Sequence, residues 1–242
     1  MRAMILAAGL GTRLQPLTES LPKALVKIRD KTLLEIAINN LVKNGFDKII
    51  INVHHFAEQV IDFIGQNKFD ADITISDERD KLLDTGGGLK KASQFFNDGK
   101  PFLLYNVDII SNLNLKTFYQ ANIKSESIAT LAIRKRESSR YLLFNSENIL
   151  CGWKNTKTGE LISTCNIKLL DEFAFSGIHM INPKIFSLMP DEDVFSMIDL
   201  YLDIMRDNKI IAHIDNDSFW LDVGNTESLR IAEENFYLID KP

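Results

Sequence analysis

Apolar residues in the first half of the chain come in short runs broken by glycine and polar turns, and the runs alternate between two periods. Ala3 to Ala8 is almost wholly apolar, the pattern of a parallel strand covered on both faces, and it stops at Gly9. Lys48 to Val53, KIIINV, repeats that pattern. Between them, Thr32-Leu-Leu-Glu35 has capping-box spacing and leads an apolar-periodic segment that halts at Gly45, which predicts a helix signalled at both ends. Ala57 to Ile64 then reads as a helix, Asp72 to Ser76 as a short strand, Gly88 to Phe96 as a helix and Pro101 to Val107 as a strand. Such alternation predicts an α/β domain with a mostly parallel sheet, whose ligands bind beyond the C-terminal ends of the strands.

From about residue 128 the pattern changes. Ile128 to Arg134, Tyr141 to Phe144, Ile149 to Trp153 and Phe173 to Ile181 predict mixed or antiparallel strands with less helix between them, hence a second, smaller lobe. Met197 to Arg206 returns to helical periodicity and Lys209 to Ile214 reads as a strand. Thr226 to Leu238 reads as a C-terminal helix capped by Thr226.

Composition narrows the function. With 242 residues, 45% hydrophobic and 25% charged, the chain buries a full core. A net charge of -5 argues against a general nucleic-acid binder, so any phosphate must be held locally. Two cysteines, Cys151 and Cys165, are too few for a disulfide scaffold and pair only if the fold joins them, which fits a reducing cytoplasm. The apolar run after Met1-Arg2 ends in glycine-rich sequence with Arg13 rather than a cleavage site, and no other segment suits a bilayer, so no membrane partner is expected.

The chemistry concentrates at strand ends. Glycines at 9 and 11 allow a sharp turn that brings backbone N–H groups near a ligand, and Arg13 and Lys23 bracket that turn with two cations. A dinucleotide fingerprint would need a third glycine where Leu14 stands, and the second strand ends in Asn52, Val53, His54 and His55 rather than an acid, which counts against an oxidoreductase. Asp84-Thr85-Gly86-Gly87-Gly88 opens the predicted Gly88 helix, and three adjacent glycines are costly unless something must approach closely, as a planar base or a ribose could; a flexible surface turn is the bland alternative. Asp108 and Asp222 each follow an apolar strand, and two carboxylates converging from separate strands suit Mg²⁺ shared with ligand phosphates. Each aspartate alone is more often a turn or cap residue, and the pair gains weight only jointly with the loop. The four histidines show no metal spacing, and Trp220 stands near enough to Asp222 to wall a pocket.

In order along the chain, Leu6-Ala-Ala-Gly-Leu-Gly-Thr-Arg13-Leu, Pro22-Lys23, Asp84-Thr-Gly-Gly-Gly88, Asn106-Val-Asp108, Phe175-Ser-Gly-Ile178 and Trp220-Leu-Asp222-Val-Gly224 resemble the sugar-1-phosphate nucleotidyltransferases. Within that family the likeness is to the N-acetylmuramate-1-phosphate uridylyltransferase and mannose-1-phosphate guanylyltransferase-like branches. The resemblance implies a Rossmann-like three-layer α/β/α fold with a mostly parallel mixed central sheet and a smaller sugar-binding lobe. It implies one catalytic domain over 1–242, with 1–134 mainly nucleotide-binding and 135–242 mainly sugar-binding and supplying the second metal ligand.

The implied reaction is NTP plus sugar 1-phosphate giving NDP-sugar plus pyrophosphate, with Mg²⁺. Leu6, Ala8, Gly9, Gly11, Thr12, Arg13, Gly86, Gly87, Gly88 and Asn106 would bind the nucleotide, and Ser176 and Gly177 would face the sugar. Arg13 and Lys23 would be catalytic, and Asp108 and Asp222 would ligate the metal. A homo-oligomer is compatible with this reading. Three departures stand out: Val107 replaces the usual small residue, Asp84 replaces a common Glu, and no Glu-Lys-Pro sugar motif occurs around Trp153-Lys154-Asn155. A non-catalytic sugar-nucleotide sensor of the same fold is the alternative, disfavoured by the retained cations and carboxylates.

Overall fold

The computed structural model describes residues 1–239. In chain order it contains β1 (Arg2–Leu6), β2 (Lys27–Ile28), β3 (Lys31–Thr32), α1 (Leu33–Lys43), β4 (Lys48–Val53), α2 (Ala57–Gln66), β5 (Asp72–Asp77) and α3 (Asp84–Lys91). There follow β6 (Phe102–Asn106), β7 (Ile109–Ser111), α4 (Leu115–Ser125), β8 (Ala129–Arg134), β9 (Arg140–Phe144), β10 (Leu150–Asn155), β11 (Leu161–Ser163) and β12 (Asp171–Ile181). The chain closes with α5 (Met197–Ile204), β13 (Ile210–Ile214), β14 (Trp220–Asp222), α6 (Thr226–Glu234) and α7 (Phe236–Ile239).

The described chain divides into two compact units. The first comprises Met1–Leu83, Leu104–Lys116 and Ser218–Pro242. Its strands lie in the order β6, β1, β4, β5, with β1–β4 and β4–β5 parallel. Apolar residues fill most of the buried positions of β1 and β4: Ala3, Met4 and Ile5 on β1 and Ile49 and Ile51 on β4 are sealed from solvent. The helix α1 forms as its sequence dictates. Thr32 Oγ1 accepts from the Glu35 N–H at 3.1 Å, and Gly45, with φ at 84°, ends the helix while Phe46 N–H donates to Leu41 O.

The second unit comprises Asp84–Leu103 and Thr117–Asp217. Here β12 pairs antiparallel with β8 and with β9, β9–β10–β11 continue antiparallel, and β13 joins β8 in parallel. The change of pattern near residue 128 is therefore a change from parallel to mainly antiparallel pairing.

Three expectations need correction. The glycine cluster does not precede a helix beginning at Gly88: α3 starts at Asp84 and contains all three glycines. The C-terminal helix is capped by Asn225, not Thr226, because Asn225 Oδ1 accepts from Ser228 N–H at 2.8 Å while Asn225 N–H donates to Ser228 Oγ at 3.1 Å. Helix α4 was not foreseen, since its buried face mixes Phe118 with Asn122. Asn122 lies in the interior because its amide reaches Thr130 Oγ1 at 3.0 Å and Met180 O at 3.3 Å.

Candidate active site

All four charged residues singled out in the sequence fall in the first unit. The segment after β1 leaves the sheet at Ala7, turns through Gly11 with φ at 66°, and enters a 3₁₀ turn that carries Arg13. Leu14, fully buried, pins this turn into an apolar cluster with Val26, Ile28, Ile110 and Val223. Thr18 Oγ1 donates to Gly11 O at 2.9 Å and holds the loop closed. Leu6, Gly9, Thr12 and Arg13 keep surface exposure, whereas Ala8 is buried.

Lys23 opens the third 3₁₀ turn after β1, and its ammonium is ion-paired and hydrogen-bonded to the carboxylate of Asp108. Both side chains are mostly buried, at 10% and 17% exposure, so each charge depends on the other for compensation. Asp108 stands between β6 and β7, just past Asn106 and Val107. The departure at Val107 is accommodated: its side chain is buried and its N–H donates to Leu6 O at 3.2 Å.

Asp222 ends β14, which runs antiparallel to β7 with Asp222 opposite Ile109, and Val223 N–H donates to Asp108 O at 2.8 Å. The two aspartates thus emerge at adjoining ends of a short ribbon. Over Gly224 the side chains of Arg13 and Asp222 converge: a Cβ there would sit 2.8 Å from both Arg13 Nη2 and Asp222 Oδ1. The absence of a side chain at Gly224 leaves the space that admits both groups. Among the described residues no cluster of three or more His, Cys, Asp or Glu is positioned to hold a metal. A two-carboxylate donor set of hard oxygens is the kind that binds Mg²⁺ together with ligand phosphates.

The remaining predicted residues belong to the second unit. Gly86, Gly87 and Gly88 are buried in the first turns of α3. Gly86 and Gly87 N–H groups donate to Phe195 O at 2.9 and 3.2 Å, and a Cβ on Gly86 would fall 2.3 Å from the Phe195 ring. The group that approaches Gly86 closely is therefore the protein's own Phe195. Ser176 is buried on β12, and Gly177 has φ at 75° inside the register shift between Phe175 and His179. Behind that bulge His179 Nδ1 lies 2.9 Å from Tyr201 Oη, and burial pushes the imidazole down to about 3.

The histidines at the end of β4 are structural where their partners are seen: His54 Nδ1 lies 2.7 Å from Glu78 O. The neighbouring Asn52 and Glu78, both buried, went unremarked as chemistry because a polar residue at the end of an apolar strand has no signature of its own.

An α/β unit with a glycine-bearing loop, two cations and two aspartates at its strand ends defines a class: enzymes that handle phosphate groups of a nucleotide. The chain belongs to the nucleotidyl transferase family, whose model matches residues 2–237. It is similar to N-acetylmuramate alpha-1-phosphate uridylyltransferase of Caulobacter vibrioides, 29% identical over 239 residues and covering 96% of this chain and 95% of that protein. It is also similar to a probable mannose-1-phosphate guanylyltransferase 1 of Oryza sativa, 27% identical over 229 residues, but there it spans 93% of itself and only 61% of the relative. A putative glucose-1-phosphate thymidylyltransferase from Bacillus anthracis shares the fold, with a TM-score of 0.82 at 18% identity over 100% of this chain and 96% of that one. The chain is accordingly an enzyme of the sugar-1-phosphate nucleotidyltransferase class, with the expected α/β fold. Members of the family generally use divalent metal ions. No helix among the described residues is long and apolar enough to cross a membrane.

Proposed function

We propose that this enzyme makes a UDP-sugar in the cytoplasm, transferring uridylyl from UTP to an N-acetylmuramate-like sugar 1-phosphate that feeds cell-envelope polysaccharide. The similarity to the Caulobacter uridylyltransferase runs nearly the full length of both chains, and that supports this choice over guanylyl transfer to mannose 1-phosphate. The observation that carries the mechanism is the Lys23–Asp108 ion pair together with the convergence of the Arg13 and Asp222 side chains over Gly224, all within the first unit.

A sugar phosphate arrives already ionised, so the reaction needs alignment and charge compensation rather than a general base. Backbone N–H groups near Gly9 and Gly11 hold the triphosphate, with Leu6, Ala8, Thr12 and Asn106 around the nucleotide. Lys23 sits at the α-phosphate and the incoming phosphate, and Arg13 stabilises the departing pyrophosphate. Asp108 and Asp222 would hold Mg²⁺, which when bound would supply charge compensation for phosphate oxygens. Gly86 to Gly88 serve the base and ribose, and Ser176 and Gly177 the sugar. A matrix of UTP, GTP, dTTP, CTP and ATP against several sugar 1-phosphates with Mg²⁺, read by pyrophosphate release, tests this reading. The strongest cell is expected at UTP with the N-acetylmuramate derivative, and a strongest cell at GTP with mannose 1-phosphate would replace it.

A further inference from the structure

The Leu6–Ala7 peptide, where the glycine loop leaves β1, is gripped from both sides. Its carbonyl accepts from Val107 N–H at 3.2 Å, next to Asp108, and its N–H donates to Asn52 Oδ1 at 2.7 Å in a buried bond. Asn52 is itself held, because its Nδ2 donates to Glu78 Oε1 at 2.8 Å, and the two side chains are only 2% and 1% exposed. Glu78 in turn is anchored by its backbone: its N–H donates to Val53 O at 2.8 Å, and its carbonyl meets His54 Nδ1 at 2.7 Å. The carboxyl ends of β1, β4 and β5 are thus tied together by one carboxylate and one amide.

The chemistry of this chain of contacts is directional. A carboxylate accepts only, so Glu78 requires the NH₂ side of the Asn52 amide to face it, and this turns the Asn52 carbonyl oxygen toward Ala7. Neither aspartate nor a hydrocarbon of similar size would do both jobs. Burying two polar side chains is costly unless each is bonded, and a plain apolar pair would close the strand ends at lower cost. A requirement to hold one peptide plane in one orientation explains why polar residues occupy the position.

We propose that Asn52, oriented by Glu78, is a positioning residue for the nucleotide: it sets the plane of the Leu6–Ala7 peptide and so the direction in which the following loop N–H groups meet the triphosphate. The inference rests on the placing of the triphosphate at this loop. It acts through the backbone and makes no contact with the sugar phosphate, so its effect falls on the nucleotide alone.

The test compares wild type, N52D, E78Q and the double variant N52D/E78Q in the full chain. N52D sets two carboxylates face to face, whereas the double variant restores a donor, because the amide introduced at position 78 can bond the carboxylate introduced at position 52. N52D is expected to raise the KM for the nucleoside triphosphate by about tenfold or more while the KM for the sugar 1-phosphate changes by less than about twofold. The double variant is expected to return most of the loss, and E78Q alone to stay near wild type, since the new amide oxygen still accepts from Asn52. Calorimetric titration of UTP and of GTP gives the same comparison without turnover, so an inactive wild type would sink the functional reading while the loop inference is still decided by affinity. An unchanged nucleotide affinity in N52D, equal losses toward both substrates, or no recovery in the double variant overturns it. Should N52D not fold, Asn52→Ala removes both hydrogen bonds without adding charge and carries the same expectation for the two KM values.

Discussion

Lys23 and Asp108, 85 residues apart in sequence, are joined in a largely buried ion pair at the carboxyl edge of the first unit's sheet. Removing either side chain leaves the other charge in a poorly solvated place, so stability and catalysis both respond. Lys23→Ala is expected to lower kcat/KM by a factor of about 10² to 10³, the scale of losing one preorganised charge at a transferring phosphate. Asp108→Ala or Asp222→Ala should abolish turnover if, as proposed, each removes a metal ligand. The check is pyrophosphate release at saturating Mg²⁺ with thermal unfolding of each variant alongside. Undiminished release by either aspartate variant would remove both from the metal site.

Arg13 and Asp222 approach the same point above Gly224, each 2.8 Å from where a Cβ would stand. Gly224→Ala therefore displaces side-chain ends rather than backbone, and its cost should appear in function more than in folding. We expect a fall in kcat/KM of about tenfold or more, with the unfolding free energy lowered by less than about 1 kcal/mol. Urea unfolding and steady-state kinetics on the same preparation separate the two effects. A loss of stability without a loss of activity would mean that the convergence has no catalytic role.

How much of this was legible in the sequence differs by the kind of signal. The parallel strands β1 and β4 were readable because their local apolar runs, bounded by Gly9, Gly45 and polar turns, satisfy one physical requirement, burial on both faces, whereas β5, DITISD, lies at the end of the sheet order and is mostly half-buried or exposed. Asp108 and Asp222 were nameable because each follows an apolar run at a strand end, and Arg13 and Lys23 because they bracket the glycine turn after β1, where an α/β sheet leaves its backbone ends open to ligands. What escaped were relations across the fold. Asn225 outranked Thr226 as a cap only because Ser228 closes the reciprocal bond, and α4 was missed because Asn122 finds partners on β8 and β12. The glycines at 86 to 88 carried a sound argument about close approach, but the approaching group at Gly86 is Phe195, more than a hundred residues away.

The fold brings Cys151 and Cys165 side by side. Both are free thiols, on β10 and just past β11, and Cys165 Sγ lies 2.8 Å from Cys151 Sγ. Burial pushes the Cys151 thiol up to about 11, while Cys165 is exposed, so Cys165 should be the attacking or first-modified sulfur. With a disulfide oxidant such as oxidised glutathione, the Cys165 thiolate displaces one thiol to form a mixed disulfide. Cys151 then displaces the second thiol and closes an intramolecular bond. Thiol titration should count two groups in the reduced protein and none afterwards, with the chain still single on a non-reducing gel. Persisting mixed disulfide, or cross-linked dimers, would show that the two sulfurs do not meet in solution.

His179 gives the enzyme an acid sensitivity whose sign can be worked out. Enclosed with Tyr201 and Phe175, its imidazole is held neutral, with a folded value of about 3 against 6.5 for the ordinary side chain, because burial penalises the cation. Between those values the unfolded chain binds a proton that the native chain does not. Stability is therefore unaffected above pH 6.5 and falls as the pH drops below it, by up to about 1.4 kcal/mol per pH unit. His213 is shifted in the same direction, chiefly by burial and opposed by Asp215, so it adds to the slope. The lowered carboxyls of Asp47 and Glu227 lose their contribution only as the pH falls below their ordinary values of 3.8 and 4.5, at the lower end of this window. Urea unfolding at pH 7.5, 6.5, 5.5 and 5.0 should show the decline in wild type and a shallower one in His179→Gln, which keeps a polar partner for Tyr201 but cannot titrate. Equal slopes in the two proteins would place the acid sensitivity elsewhere, with His213→Gln the next variant to measure.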